Sequence, residues 1–513
     1  LPLVLKDIVN SSDNNKKLET IWFFTRVAQK MGIRSRKKNI DFNALSPPIN
    51  TYISYSSPKM SKLARRMIFR LFDRMEEVSE KRGMHLQSWI DSLSWMQPDV
   101  LNTSSSNKIT PYLASFNLSE SLSSEKTIVK LQKMGLPITS WPDLPPEVLI
   151  EPTNNKVAIN LRLKRFYLPV HQSLNTKSIM KYSQKLLTKT IESWHCISLT
   201  KDEWNVYWAL CSNTNMLQAW EYGEAKNSEG WQVSRFLISD EEDTPIAIAQ
   251  VLTKTLPFIG GVARLNRGPI LINSGSDNDT NKMIFSIRVL IKEARRHRWW
   301  LFQVAPELPN TSQAINGMKA MGFKKLNTLA WASGVINLLE EENIILMNLA
   351  GKWRNTLRKG QKLGVQVRDD SNNIESIHQL TKNYTELQSN RGFGGISKDL
   401  ILSMASQSGP SWSFNLFSAF NSDNNNDLGS LVSIEAGDTT IYLIGYSNDQ
   451  GRKMHANSVL LWHAILHAKN NGGTFFDFGG LNESTPHGIA KFKKGLNATP
   501  YQLIGDWRYF LFL

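Results

Sequence analysis

The chain has 513 residues, 41% of them hydrophobic, and a formal charge of +15, which predicts two to four domains with sizeable cores. Two cysteines, Cys196 and Cys211, exclude a disulfide scaffold and a zinc ribbon and point to a reducing compartment. No run approaches the ~20 apolar residues of a membrane span, and nothing near residue 1 has the apolar segment of a signal peptide. The first residue is Leu, which reads as a fragment or a processed product. The charge favours an anionic partner such as a phosphorylated substrate, RNA or an anionic membrane face. An unspecialised basic surface is the alternative. Basic residues cluster in "RSRKK" (34–38), "KEARRHR" (292–298) and "KWRNTLRKGQK" (352–362).

In chain order, residues 1–175 read as a smaller α/β domain. Ala64, Met67, Ile68, Leu71, Phe72 and Met75 form an apolar helical stripe within 60–95. A polar loop, "LNTSSSNK" (101–108), precedes a strand "PYLASFNL", a helix "SSEKTIVKLQKMG" ending at Gly135, and a strand "LPITSW". "PDLPPE" (142–147) breaks the structure, because proline removes donors and biases its neighbour towards extended backbone. "LRLKRFYLPVHQSL" (161–174) is a last strand, and 176–194 is a linker or helix.

Residues 195–340 and 341–513 repeat one order of elements. The first copy runs through strands at 245–254 and 260–271, a long helix "MIFSIRVLIKEARRHR", a strand "WWLFQVAPEL", a short helix and a closing strand "LAWASGVINL". The second runs through "LGSLVSIEAG", "TTIYLIGYS", the helix "NSVLLWHAILHAKNNG" with Asn457 as its cap, "TFFDFGGL", the helix "GIAKFKKGL" and a closing strand "YQLIGDWRYFLFL". Helical regions, 201–227 and 351–390, precede the copies. Two such units predict pseudo-symmetric halves with a cleft between them.

Asp477 alternates with Phe476 and Phe478, so it faces away from them. Facing a cleft, it would position a substrate group or act as a general base. Otherwise it hydrogen-bonds the Gly479-Gly480 turn or caps the next helix. The glycines allow a positive φ or a close approach. His463 and His467 have i, i+4 spacing, but the glutamate of a zinc-peptidase motif is missing and the surrounding helix is apolar, so no metal is expected. Trp299, Trp300, Trp353 and Trp462 read as core or cleft wall.

The repeated element order resembles tandem GNAT acyltransferase units, and with four further motifs it resembles the Fem-type peptidoglycan-bridge aminoacyltransferases. These motifs are "LQAWEYGEAK" (217–226), "ARLNRGPIL" (263–271), "WRNTLRKGQKLGVQV" (353–367), and "FFDFGG" with "FKKG". The match covers about 195–513. The long coiled-coil arm of some members is missing. The resemblance implies an α/β (α+β) fold of two GNAT-like halves after a smaller domain. It implies aminoacyl transfer from aminoacyl-tRNA to an amine of a UDP-linked or lipid-linked muropeptide, with no cofactor, in the cytoplasm or peripherally on the inner membrane face. It places Lys226, Arg354 and Lys493, extended by Arg358 and Lys359, on the substrate's phosphates.

The phosphate loop of coenzyme-A-dependent GNAT enzymes is not found. The matching stretches are "NDQGRKMHANS" and "NSGSDNDTNK", the latter with Asp277 and Asp279, which would repel a pyrophosphate. The second reading is an acyl-CoA-dependent N-acyltransferase of nucleotide-linked amino sugars. The third is a non-catalytic basic binding module. "GLPITSWPDLPPEV" with "LRLKRFYLPVHQSL" resembles the small domain of pyridoxal-phosphate-dependent sugar aminotransferases. That cofactor would enter only with an upstream domain, because no lysine here reads as its Schiff base.

Overall fold

A computed structural model describes residues 65–511 except 67, 70, 71, 94, 95, 97–109, 118–124, 134, 140–143, 145–147, 149, 257–259, 277, 393, 483, 484 and 486. The basic run at 34–38, the loop at 101–108, most of 142–147 and Asp277 lie outside the described residues. The chain divides into two units, Leu1–Leu186 and Leu187–Leu513.

In the first unit, α1 (Met75–Ser92) buries His85 and Trp89. The Trp89 indole donates to the Pro169 carbonyl at 2.9 Å. β1 (Leu113–Asn117) precedes α2 (Glu125–Lys133), α3 (Lys156–Lys164) and β2 (Arg165–Pro169). β1 and β2 pair antiparallel, with Phe116 opposite Phe166. The stretch 161–174 is therefore part helix and part strand. "LPITSW" contributes one bridge, Thr139 to Tyr167. α4 (Thr176–Thr190) occupies most of the expected linker. In the second unit, Lys292 donates to the carbonyls of Ile191, Glu192 and Trp194, just past that helix.

The second unit holds two sheets. Its first half comprises β3 (His195–Ser198), α5 (Lys201–Trp208), α6 (Trp220–Lys226), β4 (Gln232–Ser239), β5 (Pro245–Leu256), β6 (Gly260–Asn266), β7 (Ile270–Leu271), α7 (Asp279–Arg296), β8 (Trp299–Ala305), α8 (Ser312–Ala320), β9 (Lys324–Lys325) and β10 (Ala332–Asn337). Its second half comprises α9 (Gly351–Lys362), β11 (Val365–Asp369), α10 (Ile374–Arg391), α11 (Lys398–Ala405), β12 (Trp412–Asn421), β13 (Asp427–Ala436), β14 (Thr439–Ser447), α12 (Ala456–Asn470), β15 (Phe475–Asp477), α13 (His487–Lys494), β16 (Thr499–Gln502) and β17 (Trp507–Phe510).

Each half has one parallel pair, β6–β8 and β14–β15, joined by the long helix α7 or α12. α7 buries Ile284, Ile287, Leu290, Ile291 and Ala294, one stripe at helical spacing. α12 is apolar almost all round and buried accordingly. Gly360 lets α9 approach it, since a Cβ there would lie 2.7 Å from Val459. The region 351–390 is not continuously helical. Gly364, at φ +78°, ends α9, and the alternating "VQVRD" forms the edge strand β11.

The closing strands depart from the repeat read in the sequence. The first sheet has the order β3-β4-β5-β6-β8-β17-β9, and the second β11-β12-β13-β14-β15-β10-β16. β10, last of the first copy, lies between β15 and β16 of the second sheet. β17, last of the second copy, lies between β8 and β9 of the first. "YQLIGDWRYFLFL" is therefore two strands, one in each sheet. Apolar burial accounts for the placements: Ile336 packs in the cluster of Phe476 and Phe478, and Trp507 is fully buried in the first sheet. The halves also share a core, in which Trp204, Trp208 and Tyr222 meet Ile401, Trp412 and Val432. Removing residues 507–513 should destabilise the whole second unit, because β8 and β9 lose the strand that joins them. A thermal melt checks this; a transition matching the intact protein would refute it.

Candidate functional site

β14 and β15 pair only as far as Ile441 and Asp477 and then diverge. Gly479, at φ +64°, turns the chain there; a Cβ would meet the Tyr442 carbonyl at 3.0 Å. Lys493 of α13 projects into this notch. Its Nζ donates to the carbonyls of Gly479 at 3.3 Å and Gly480 at 3.2 Å and lies 5.2 Å from the centre of the Tyr442 ring. Burial pushes its pKa down to about 8, against the opposing charge of Asp477. The site thus holds an ammonium that is readily deprotonated and short of solvent.

Asp477, 2% exposed, lies behind this seat. One oxygen accepts from the Gly479 amide at 2.8 Å and from the Ser333 hydroxyl. The other accepts from the Tyr501 hydroxyl at 2.5 Å and faces Arg267 at 3.5 Å. Arg267 also grips Glu307 through two nitrogens, at 2.5 and 2.6 Å. Burial opposes its charge, but Glu307 first, then Tyr501 and Asp477, hold its pKa above the usual arginine value. Burial likewise raises the Tyr501 phenol, so it stays a donor.

Arg267 stands between two cavities. One, about 390 Å³, is lined by Lys226, Trp231, Arg264, Asn266, Trp331 and Asn482 among others. The other, about 610 Å³, has Asp477, Tyr501, Glu307 and Asp279 in its wall. Both sizes suit small-molecule groups. Asn482 lies two residues beyond Gly480, so one short loop joins the Lys493 seat to the smaller cavity. Asp438, at the β13–β14 turn, fastens the other half by accepting from the amides of Asn213 at 2.8 Å and Thr214 at 2.9 Å.

Lys493 and Asp477 meet around Gly479, the lysine on its carbonyl and the aspartate on its amide. Lys226 lies in the smaller cavity, paired with Glu229 and 5.9 Å from the Trp231 ring centre. Arg354 lines neither cavity. Its guanidinium donates to the carbonyls of Met347 and Leu349, although its neighbour Trp353 contacts the Phe492 ring beside Lys493. Arg358 and Lys359 are exposed on α9. Sequence reasoning passed over Ser333, Tyr501, Glu307 and, inside a quoted motif, Arg267. His467 faces Glu435 at 3.1 Å and both helix histidines contact Phe417. Among the described residues no group of three His, Cys, Asp or Glu is arranged to hold a metal, and no helix is long and apolar enough to cross a membrane.

The loops before the two long helices are closed on themselves. Asp279 accepts from the amides of Gly275 at 2.7 Å and Ser276 at 3.2 Å. Asn448 accepts from the Gly451 amide at 2.7 Å. Three loop amides ahead of the long helices are thus engaged by the chain's own side chains.

The solved structure of FemX has a TM-score of 0.52 and 16% identity, covering 62% of this chain and 97% of that one. A tandem GNAT protein from the clavulanic acid biosynthesis pathway gives 0.37 and 10%, covering 62% and 98%. The C-terminal domain of a putative lysylphosphatidylglycerol synthetase from Agrobacterium fabrum gives 0.37 and 11%, covering 57% and 88%. No curated protein matches by sequence. Residues 199–330 and 416–511 match the FemAB family, and the matched segments lie in both halves of the second unit, which is a FemAB-like acyltransferase region.

Proposed function

We propose that the second unit transfers an aminoacyl group from aminoacyl-tRNA to an amine of a peptidoglycan precursor, building an interpeptide bridge. The observation that carries this is the buried Lys493 ammonium in the β14–β15 notch of a FemAB-like fold. The acceptor amine attacks the carbonyl carbon of the aminoacyl ester, a C–N bond forms, and the C–O bond to the ribose breaks. The amine proton passes to the leaving oxygen. Lys493 offers a fixed positive charge to the oxyanion or to the donor's neighbouring phosphate, where water is excluded. α9 and α13 bear only basic charges, among them the exposed Lys352, Arg358, Lys359, Lys491 and Lys494, which suits a polyanionic donor. The muropeptide's diphosphate would lie in the smaller cavity near Lys226 and Arg264.

The acyl-CoA reading is disfavoured by the Asp279 carboxylate, which closes the loop before α7 and would repel a pyrophosphate there. The deciding assay offers aminoacyl-tRNA and acetyl-CoA separately, each with UDP-linked muropeptide and with a UDP-linked amino sugar. Transfer from aminoacyl-tRNA to the muropeptide is expected; transfer from coenzyme A alone would refute the proposal. Lys226→Ala should raise the acceptor KM about tenfold or more and leave kcat nearly unchanged, the mark of lost ground-state binding. A fall in kcat at constant KM would remove Lys226 from the acceptor site.

A further inference from the structure

We propose that Asp477 is a positioning residue for Lys493, working with Ser333 and Tyr501, and does not act as a base on the substrate. This rests on reading Lys493 as the cation at the reacting ester. A general base needs a free lone pair within about 2.6–3.2 Å of the proton it takes. Asp477 is 2% exposed and faces four donors: the Ser333 hydroxyl, the Gly479 amide, the Tyr501 hydroxyl and Arg267. That engages the roughly four acceptor positions of a carboxylate.

Those contacts fix the peptides on which Lys493 rests. Asp477 holds the amide of Gly479, whose carbonyl receives Lys493. The Ser333 hydroxyl lies 3.1 Å from that carbonyl. The same turn is laced to β10 by its backbone: the Phe478 amide donates to Gly334 at 3.0 Å and the Leu481 amide to Ala332 at 2.7 Å. The Lys493 seat is therefore set by β10, the strand exchanged from the other half, and by Tyr501 of its neighbour β16, opposite Ser333. Asp477 also favours the protonated lysine by its charge.

Lysine labelled with 15N at Nζ would report the titration of Lys493 directly, with Lys493→Arg identifying its signal. The intact protein should titrate near the value of about 8 given above. Asp477→Asn should lower that midpoint, because a charge favouring the ammonium is removed, and the alkaline limb of transfer should move down with it. Ser333→Ala should reduce kcat about tenfold to a hundredfold, as expected for a displaced reacting group, with the acceptor KM unchanged; Ser333→Thr should restore it. A fixed Lys493 midpoint in Asp477→Asn, with transfer lost at every pH, would overturn the proposal in favour of a base. Full activity of Ser333→Ala would also overturn it. Should Asp477→Asn not fold, the Ser333 pair decides. A shifted lysine titration with no transfer from any donor would uphold the positioning role and count against the proposed reaction instead.

Discussion

Lys493→Ala should lower aminoacyl transfer by about 10²- to 10³-fold, the usual effect of removing one preorganised donor from a developing negative charge. Lys493→Met should do the same while keeping the buried stem, so the loss will not be one of folding. Melting curves of both variants close to the intact protein's would establish that. Transfer by Lys493→Met at the intact rate would remove the lysine from the chemistry. The pH profile adds an independent check. Lys493 titrates near 8 because burial disfavours its charge, whereas an ordinary lysine titrates near ~10.4. Transfer that needs the ammonium should fall as pH rises through about 8. Stability should move the other way. Between the folded and the ordinary value the unfolded chain binds the extra proton, so unfolding free energy rises with pH there. This contribution is complete above the ordinary value and is lost as pH falls through about 8.

Arg267→Met should cost about 3–5 kcal/mol of unfolding free energy, the range for breaking a buried ion pair from one side. The arginine side chain is 9% exposed and the side chains of its partners Glu307 and Asp477 are 20% and 3% exposed, so both carboxylates would lose their cation, Asp477 away from water. Arg267→Lys should not recover the loss, because one ammonium does not reproduce a two-nitrogen grip on Glu307 while also reaching Tyr501. Denaturant titration measures it. A loss below ~1 kcal/mol for Arg267→Met would place the pair in the weak class of solvent-screened bridges.

The order of strands and helices after residue 195 was legible because each element has its own period: alternation in β13 and β14, and a stripe at helical spacing in α7. Strand partners were not. Alternation tells which residues share a face and carries no information about which sheet receives the strand, so "LAWASGVINL" read as the close of its own copy. β11 was hidden by five residues between two helices. Within the site, Lys493 and Asp477 stood out as charges beside paired glycines. Ser333 and Tyr501 looked like ordinary strand residues, and only the register that sets them opposite each other brings both hydroxyls onto one carboxylate. Arg267 stood in a quoted motif, but its inward turn at φ 47° is a property of the folded loop.

The traded strands β10 and β17 have a consequence for how such a protein can be taken apart. Each sheet takes its next-to-last strand from the other half, so neither half is a module that can be excised, replaced or expressed by itself. A polypeptide ending after β10 would present β8 and β9 without β17 between them, two raw edges open to aggregation. A cut in the β12–β13 turn at 422–426 would instead leave both fragments needing each other, and activity would return only on mixing. Diversity in this architecture is therefore confined to loops and side chains, since shuffling whole halves would sever the strand that holds the lysine's seat.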